Sequence, residues 1–219
     1  MRDLFSTPFK QLPEELNIFP LAGTLLLPRG RLPLNIFEPR YLNMVLDSLG
    51  ENRMIGMVQT LETSVNPIPD DARFFKTGCA GRIISFAETK DGRIVITLEG
   101  ICRFNIMSEV GMQNGYRRIH SDFGPYAMDM DGPPQCVDRG TFIRLLKDYF
   151  EVEKIRVDWE MIEKTEDRLL MANLGMMCPF NSQEKQALLE AQDYSHMVEI
   201  ITSLMEMAIR SCDKSSVKH

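Results

Sequence analysis

Along the first half of the chain, apolar residues fall in short runs separated by breakers, and the pattern there is strand-like. Between Leu16 and Val45 two runs, Asn17–Leu21 and Thr24–Leu27, sit among Pro20, Gly23, Pro28, Gly30 and Pro33. That punctuation excludes a helix of ordinary length and predicts two short strands with tight connections. Leu34–Phe37 then leads into a helix that Pro39 opens and Gly50 ends. Proline fits a first turn, where its missing N–H costs nothing, and glycine suits the position just past the last turn. Tyr41, Val45 and Leu49 share one face of this helix, widened by Leu42 and Leu46.

A strand is predicted over Arg53–Thr60, with Ile55, Met57 and Val58 as its apolar residues, followed by a long loop over Glu62–Phe75. A loop of that length in a compact chain commonly covers something. Gly78–Thr89 and Arg93–Leu98 flank Lys90-Asp91-Gly92, a hairpin signal, since Asp-Gly supplies the positive φ such turns need. Glu99-Gly100 interrupts the second strand before it resumes, which predicts a bulge or corner. Tyr116–Phe123 completes about six strands with glycine at the bends, a pattern suited to a small, partly closed barrel.

Gly124–Gln135 reads as a linker, and beyond it the period changes from 2 to 3.6. Phe142, Leu145, Leu146, Tyr149 and Phe150 mark an amphipathic helix. A second should start at Thr165 and run to about Met177. Asn181 with Glu184 resembles a capping box opening a third, and Asp193 or Ser195 starts a fourth with Met197, Ile201, Leu204 and Ala208 on one face. The expected fold class is α+β: a strand lobe over residues 1–124 with an inserted helix, a linker over 125–135, a helical lobe over 136–212 and a frayed tail over 213–219.

Composition narrows the function classes. With 219 residues, 44% apolar and 26% charged, the chain can bury roughly 70% of its unfolded surface and is an ordinary globular protein. MRDLFSTPFKQLPEE lacks the apolar core of a secretory signal and Leu16–Pro28 is too short and broken to span a membrane, so a cytoplasmic location without membrane attachment is expected. The cysteines at 79, 102, 136, 178 and 212 and the histidines at 120, 196 and 219 are scattered without a CxxC, which argues for reduced thiols and against a metal site or other cofactor. Net charge is −6; residues 1–132 carry 14 basic and 16 acidic groups, residues 133–219 carry 11 and 15. Neither part has the basic excess of a nucleic-acid surface.

Four segments carry a family resemblance: FPLAGTLLLPRGRLPLNIFEPRYL, GCAGRI, LEGICRF and CPFNSQEKQALLEA. In order and spacing they resemble the N-terminal substrate-binding domain of the Lon protease family, over about Leu12 to Arg210. The resemblance implies a barrel related to the pseudouridine-synthase/archaeosine-transglycosylase (PUA) fold, followed by a helical lobe. In that family the domain selects protein substrates and precedes ATPase and protease modules. No GxxxxGK[ST] is present to cradle a phosphate, so the resemblance implies a stand-alone, non-enzymatic binding module. Its partners would be unfolded or extended protein segments, with a protease or chaperone as a further partner. RNA binding is the alternative that the barrel ancestry suggests. The oligomeric state is left open.

The candidate binding residues are Phe37, Glu38, Arg40, Tyr41, Met176, Met177 and Phe180, lining an expected groove between the two lobes. Each has a plainer reading. Glu38 and Arg40 at a helix entrance commonly answer the helix dipole or tie a loop. The methionines, fifteen in all, are more often core than adaptable surface. Met176 and Met177 are adjacent and point in different directions, so both are hard to bury in one core. Arg29 and Arg31, and Arg117-Arg118-Ile119-His120, are small basic groups that form a patch only if the fold joins them. Ser182 with Lys185, Cys102, Cys178, and the carboxylates Glu99, Glu109 and Asp122 are the residues a hydrolase would use, though nothing in the sequence places them together.

Overall fold

The computed structural model describes residues 7–62, 67–130 and 138–216, with side chains to residue 212. Six strands, β1 (Glu15–Pro20), β2 (Arg31–Ile36), β3 (Met54–Val58), β4 (Thr77–Glu88), β5 (Ile94–Gln113) and β6 (Tyr116–Asp122), form one mixed sheet in the order β2-β5-β4-β3-β1-β6. β1 and β3 run parallel and the other pairs antiparallel. β6 also pairs with β5, so the succession of pairings returns on itself.

β5 makes this closure possible. Its twenty residues would reach roughly 65 Å if straight, too long for a small domain. Register shifts bend it instead. One lies where Ala80 faces Cys102 but Gly81 faces Gly100, leaving Ile101 as the extra residue at the predicted Glu99-Gly100 interruption. Others fall at Ile106/Ser108 and Glu109/Gly111. Ahead of the bend β5 lies between β2 and β4; beyond it, Asn105 to Gln113 pair with β6. The hairpin at Lys90-Asp91-Gly92 turns as predicted, with Gly92 at φ +78°.

The expected second strand is displaced. Thr24–Leu27 is not a strand; β2 begins at Arg31, after it. Leu25, Leu26 and Leu27 are instead buried in coil, pressed between sheet and helices, which is why their apolar run looked strand-like. Pro33 stands inside β2, tolerable because β2 is an edge strand.

Two hydrophobic clusters follow from strand alternation. β1 and β3 are buried on both faces: Leu16, Ile18, Met54 and Val58 enter a core enclosed by the strands with Phe104 and Ile119, while Phe19, Ile55 and Met57 join a larger core against the helices. Helix α1 (Pro39–Gly50) packs on this second side, with Pro39 in its first turn. Tyr41, Met44, Val45 and Ser48 are buried, whereas Leu46, expected on the buried face, is exposed. Asn17 donates to Ser48 Oγ (3.0 Å), which satisfies both polar groups at that contact.

Gly124–Met130, expected within a linker, forms a 3-10 segment with Tyr126 buried; residues 131–135 lie outside the described ones. The helices are α2 (Arg139–Val152), α3 (Trp159–Lys164), α4 (Asp167–Met177), α5 (Ser182–Leu189) and α6 (Tyr194–Ser216). α2 buries Phe142, Leu146, Tyr149 and Phe150, with Leu145 half-buried beside them. α3 is additional to the four expected; its cap is Asp158, whose carboxylate accepts from Glu160 N and Met161 N. Thr165 Oγ1 donates to Met161 O and so closes α3 rather than opening α4, whose N-cap is Glu166. The Asn181–Glu184 capping box is present on α5. α6 continues past Asp213, where a frayed tail was expected.

Candidate binding cleft

The segment from Leu25 to Arg31 passes between the strands and the helical half, and glycine permits the close approach. A Cβ on Gly100 would stand 2.0 Å from Leu27 O, one on Gly30 2.3 Å from Met176 Sδ, and one on Gly175 2.8 Å from Leu27 Cδ1. Leu27 is therefore gripped by β5 and α4 together. Its backbone is tied as well: Gly30 N donates to Leu27 O (2.9 Å) and Arg29 N to Gly100 O (2.7 Å). Arg29, at φ +68°, reaches α4 and pairs with Glu166 at 2.9 Å.

Two cavities open beside this crossing, and Arg29 and Asp129 line both. One, about 500 Å³, lies against the start of α6 and is lined by Leu27, Tyr126, Arg168, Ala172, Tyr194 and Met197 among others. The second, about 1000 Å³, faces the β4–β5 bulge and carries Arg29, Arg31, Arg53 and Arg82 with Glu99, Glu166 and the amide of Asn173. Arg31 pairs loosely with Glu99 at 3.5 Å. Arg82 donates to Thr7 Oγ1 at 3.1 Å.

Arg103 of β5, which lines the first cavity, is 2% exposed. Its Nη2 and Nε meet Asp129 Oδ1 and Oδ2 at 2.8 and 2.9 Å, and its Nη1 donates to the carbonyls of Leu189 (3.2 Å) and Ala191 (2.6 Å) at the end of α5. The guanidinium also lies 4.5 Å from the Tyr126 ring centre. Burial alone would lower its pKa; the hydrogen bonds and charge of Asp129, with smaller help from Cys79 and Tyr126, together raise it. One side chain thus joins strand, 3-10 segment and helix at the wall of the cleft.

The residues singled out in the sequence are dispersed. Arg40 donates to Glu38 (2.8 Å) and to Ile68 O (2.6 Å) and meets Asp70, so it fastens the 67–75 loop to the entrance of α1. Tyr41 is buried against Phe19, ring centres 4.2 Å apart, and burial pushes its pKa up to about 12. Arg40 and Tyr41 share a small cleft with Pro69 and Arg117. Phe180 is buried 6.3 Å from the Tyr149 ring. Met176 packs half-buried on Gly30, whereas Met177 is 82% exposed, so the two point apart as adjacent helix residues must. Phe37 is exposed beside the Arg93 guanidinium at the end of β2. None of the seven lines either of the two larger cavities.

Of the hydrolase candidates, Cys178 and Lys185 come within electrostatic reach of each other, but the thiol is buried and burial pushes its pKa up to about 12. Cys102 is buried, donates to Tyr126 O (3.3 Å), and is pushed up to a pKa of about 12 by burial. Lys185 donates to Gly23 O (3.1 Å), Ser182 opens α5, and His120 lies exposed on β6. No hydrogen bond joins any two of Cys102, Lys185, Ser182 and His120 among the described residues. Glu99 and Glu109 are paired with Arg31 and Arg117, and Asp122 accepts from Gly124 N. No group of three His, Cys, Asp or Glu among the described residues could hold a metal ion. No helix among them is long and apolar enough to cross a membrane.

Arg103, Asp129, Arg53 and Arg82 drew no attention in the sequence. Each is a single charge whose neighbours are distant along the chain. A charged residue in an otherwise strongly apolar strand, ICRFNI, was the one signal for Arg103.

Comparison with known proteins places this architecture. The model for the ATP-dependent protease La (LON) substrate-binding domain matches residues 15–207. The chain is similar to the Lon protease of Syntrophus aciditrophicus, 22% identical over 214 residues, covering 93% of this chain and 23% of that protein. It is 30% identical over 98 residues to the Lon protease of Flavobacterium johnsoniae, covering 44% of this chain and 12% of that one. The curated relatives are thus several times longer than the part this chain matches. Among solved structures, a Lon N-terminal domain protein from Xanthomonas campestris superposes with a TM-score of 0.59 at 20% identity, covering 85% of this chain and 96% of that one. The N-terminal domain of a Mycobacterium avium complex Lon protease gives 0.64 at 14% identity, covering 88% and 98%. The chain belongs to the family of Lon substrate-binding domains.

Proposed function

We propose that this chain is a non-catalytic protein-binding module, of two packed parts over residues 1–124 and 136–212, that holds unfolded or extended polypeptide segments in the cleft crossed by Leu25–Arg31. It would act in the cytoplasm and pass its cargo to a separate protease or chaperone. The observation that carries this reading is the cleft itself. Two adjoining cavities of about 500 and 1000 Å³ combine apolar side chains with arginines in their linings. Apolar walls suit side chains that folded proteins hide, and arginine donors suit backbone carbonyls and carboxylates. Family membership supplies the kind of ligand, since the matching model describes substrate binding. Affinity in the micromolar range is expected, because ordering a flexible segment offsets much of what contact gains.

RNA binding has less support. On β6, Arg117 is held by Glu109 of β5 and Arg118 by Glu15 of β1, and neither arginine lines the cavity that carries Arg29, Arg31, Arg53 and Arg82. Three carboxylates line that same cavity.

Photo-crosslinking tests the location. An unfolded model protein carrying benzophenone groups, crosslinked to the full chain and mapped by mass spectrometry, should attach within residues 25–37, 99–103, 124–130 and 166–176. Attachment confined to other surfaces would refute the cleft.

A further inference from the structure

β2 is hydrogen-bonded on one side only: β5 is its one pairing partner among the described residues. The phase of that ladder is readable. Gly100 N donates to Gly30 O at 2.9 Å, and the register continues without a shift from Arg31↔Glu99 to Ile36↔Ile94. In an antiparallel pair, residues that exchange hydrogen bonds alternate with residues whose N–H and C=O point away. Leu32, Leu34 and Ile36 therefore bond to β5, and Arg31, Pro33 and Asn35 face outward. The position of Pro33 agrees with this phase, because a proline has no N–H to give the inner ladder. The open edge thus presents the carbonyls of Arg31, Pro33 and Asn35 and the N–H groups of Arg31 and Asn35.

We propose that this edge is a strand-addition site, where an extended polypeptide segment pairs with β2 as a further strand of the sheet. The inference rests on the binding reading above and specifies how the segment is held. Backbone pairing gives affinity without regard to sequence, which suits a binder of many unfolded chains. The two ends of β2 set a preference. Arg31 lies in the cavity that also holds Arg29, Arg53 and Arg82, and its pairing with Glu99 is long and exposed. Of the acids there, Glu166 pairs with Arg29, Glu99 with Arg31 and Asp129 with Arg103, so four arginines face only two carboxylates left to answer them, and the surplus positive charge favours carboxylates on an incoming segment. At the other end Phe37 is 59% exposed and offers an apolar surface. The favoured segment is extended, acidic where it passes Arg31 and apolar where it passes Phe37. A second copy of β2 fits poorly, since two-fold pairing about Pro33 sets proline against proline and loses donors on both strands.

Amide hydrogen exchange of the isotope-labelled full chain tests this, with reduced, carboxymethylated α-lactalbumin as the unfolded probe. At saturation the Arg31 and Asn35 amides should slow at least tenfold, while those of Leu32 and Leu34, already bonded to β5, stay unchanged. Asn35→Pro, which deletes one outward donor, should weaken binding roughly three- to tenfold with unchanged melting, and Asn35→Ala, which keeps it, should bind normally. Saturable binding with no slowing at Arg31 and Asn35 overturns strand addition and leaves the binding reading standing. Slowing that appears without probe and grows with protein concentration assigns the edge to a second copy and overturns it too. Absence of any binding overturns both.

Discussion

Arg103 and Asp129 meet through two parallel hydrogen bonds of 2.9 and 2.8 Å, in a place where the arginine is almost wholly removed from water. The pair joins the bent strand β5 to the 3-10 segment after β6, and Arg103 continues to the carbonyls that end α5. A buried ion pair is dear to dismantle from one side, because the surviving charge keeps its burial and loses its partner. Asp129→Asn should lower unfolding free energy by about 3–5 kcal/mol, read from urea denaturation. The double replacement Arg103→Met with Asp129→Leu should be less harmful than that single change. Equal losses from both would mean that the pair is not the join.

Gly100 and Gly50 make a matched contrast. A Cβ at Gly100 would strike the Leu27 carbonyl, part of the backbone, so Gly100→Ala should cost about 2 kcal/mol or more. At Gly50, the last residue of α1, a Cβ meets open space, and Gly50→Ala should raise stability by about 0.5 kcal/mol. Thermal melting of the two variants beside the parent separates the cases.

The thiols should differ in reactivity. Cys79, Cys102 and Cys178 are buried, and burial pushes all three pKa values up, Cys102 and Cys178 to about 12. Cys212 is exposed. Mass-spectrometric mapping of iodoacetamide labelling at pH 8 should find Cys212 modified well before the three buried thiols, which react only after unfolding. Early modification of Cys102 would show that the strand-enclosed core opens readily.

Asp47 on α1 accepts hydrogen bonds from Tyr116 (2.8 Å) and Asn114 (2.9 Å), which hold its carboxyl below the usual range. The folded protein therefore takes up this proton later than the unfolded chain as pH falls. Its contribution is complete above the ordinary carboxylate pKa of about 4 and is lost as pH drops through the lower folded value. Asp47→Asn should reduce stability at pH 7 and flatten its fall below about pH 4. An unchanged acid limb in urea titrations from pH 2 to 7 would contradict the assignment.

Legibility in the sequence followed the range of the forces involved. The Asn181–Glu184 box, Pro39 at the start of α1 and the Asp91-Gly92 turn are local devices, and each stands where the sequence puts it. Thr24–Leu27 misled because an apolar run records burial, not conformation. Its leucines are buried by the closeness of Gly100 and Gly175, residues far along the chain. Leu46 fits the helical period yet is exposed, because α1 turns Met44 and Ser48 inward, Ser48 against Asn17 of β1. α3 is six residues long and gives too short a period to detect. The cleft was the least legible part. Arg29, Arg53, Arg82 and Asn173 are separated in sequence and meet only because β5 bends and the 25–31 segment crosses over it.

Fluorescence anisotropy of labelled, reduced and carboxymethylated α-lactalbumin, titrated with the full chain, tests the central claim most directly. The account predicts saturable binding with a Kd in the micromolar range, no binding of native α-lactalbumin, and weakening by Asn35→Pro. No rise in anisotropy at a hundred micromolar chain, or equal binding of native and unfolded forms, would contradict it.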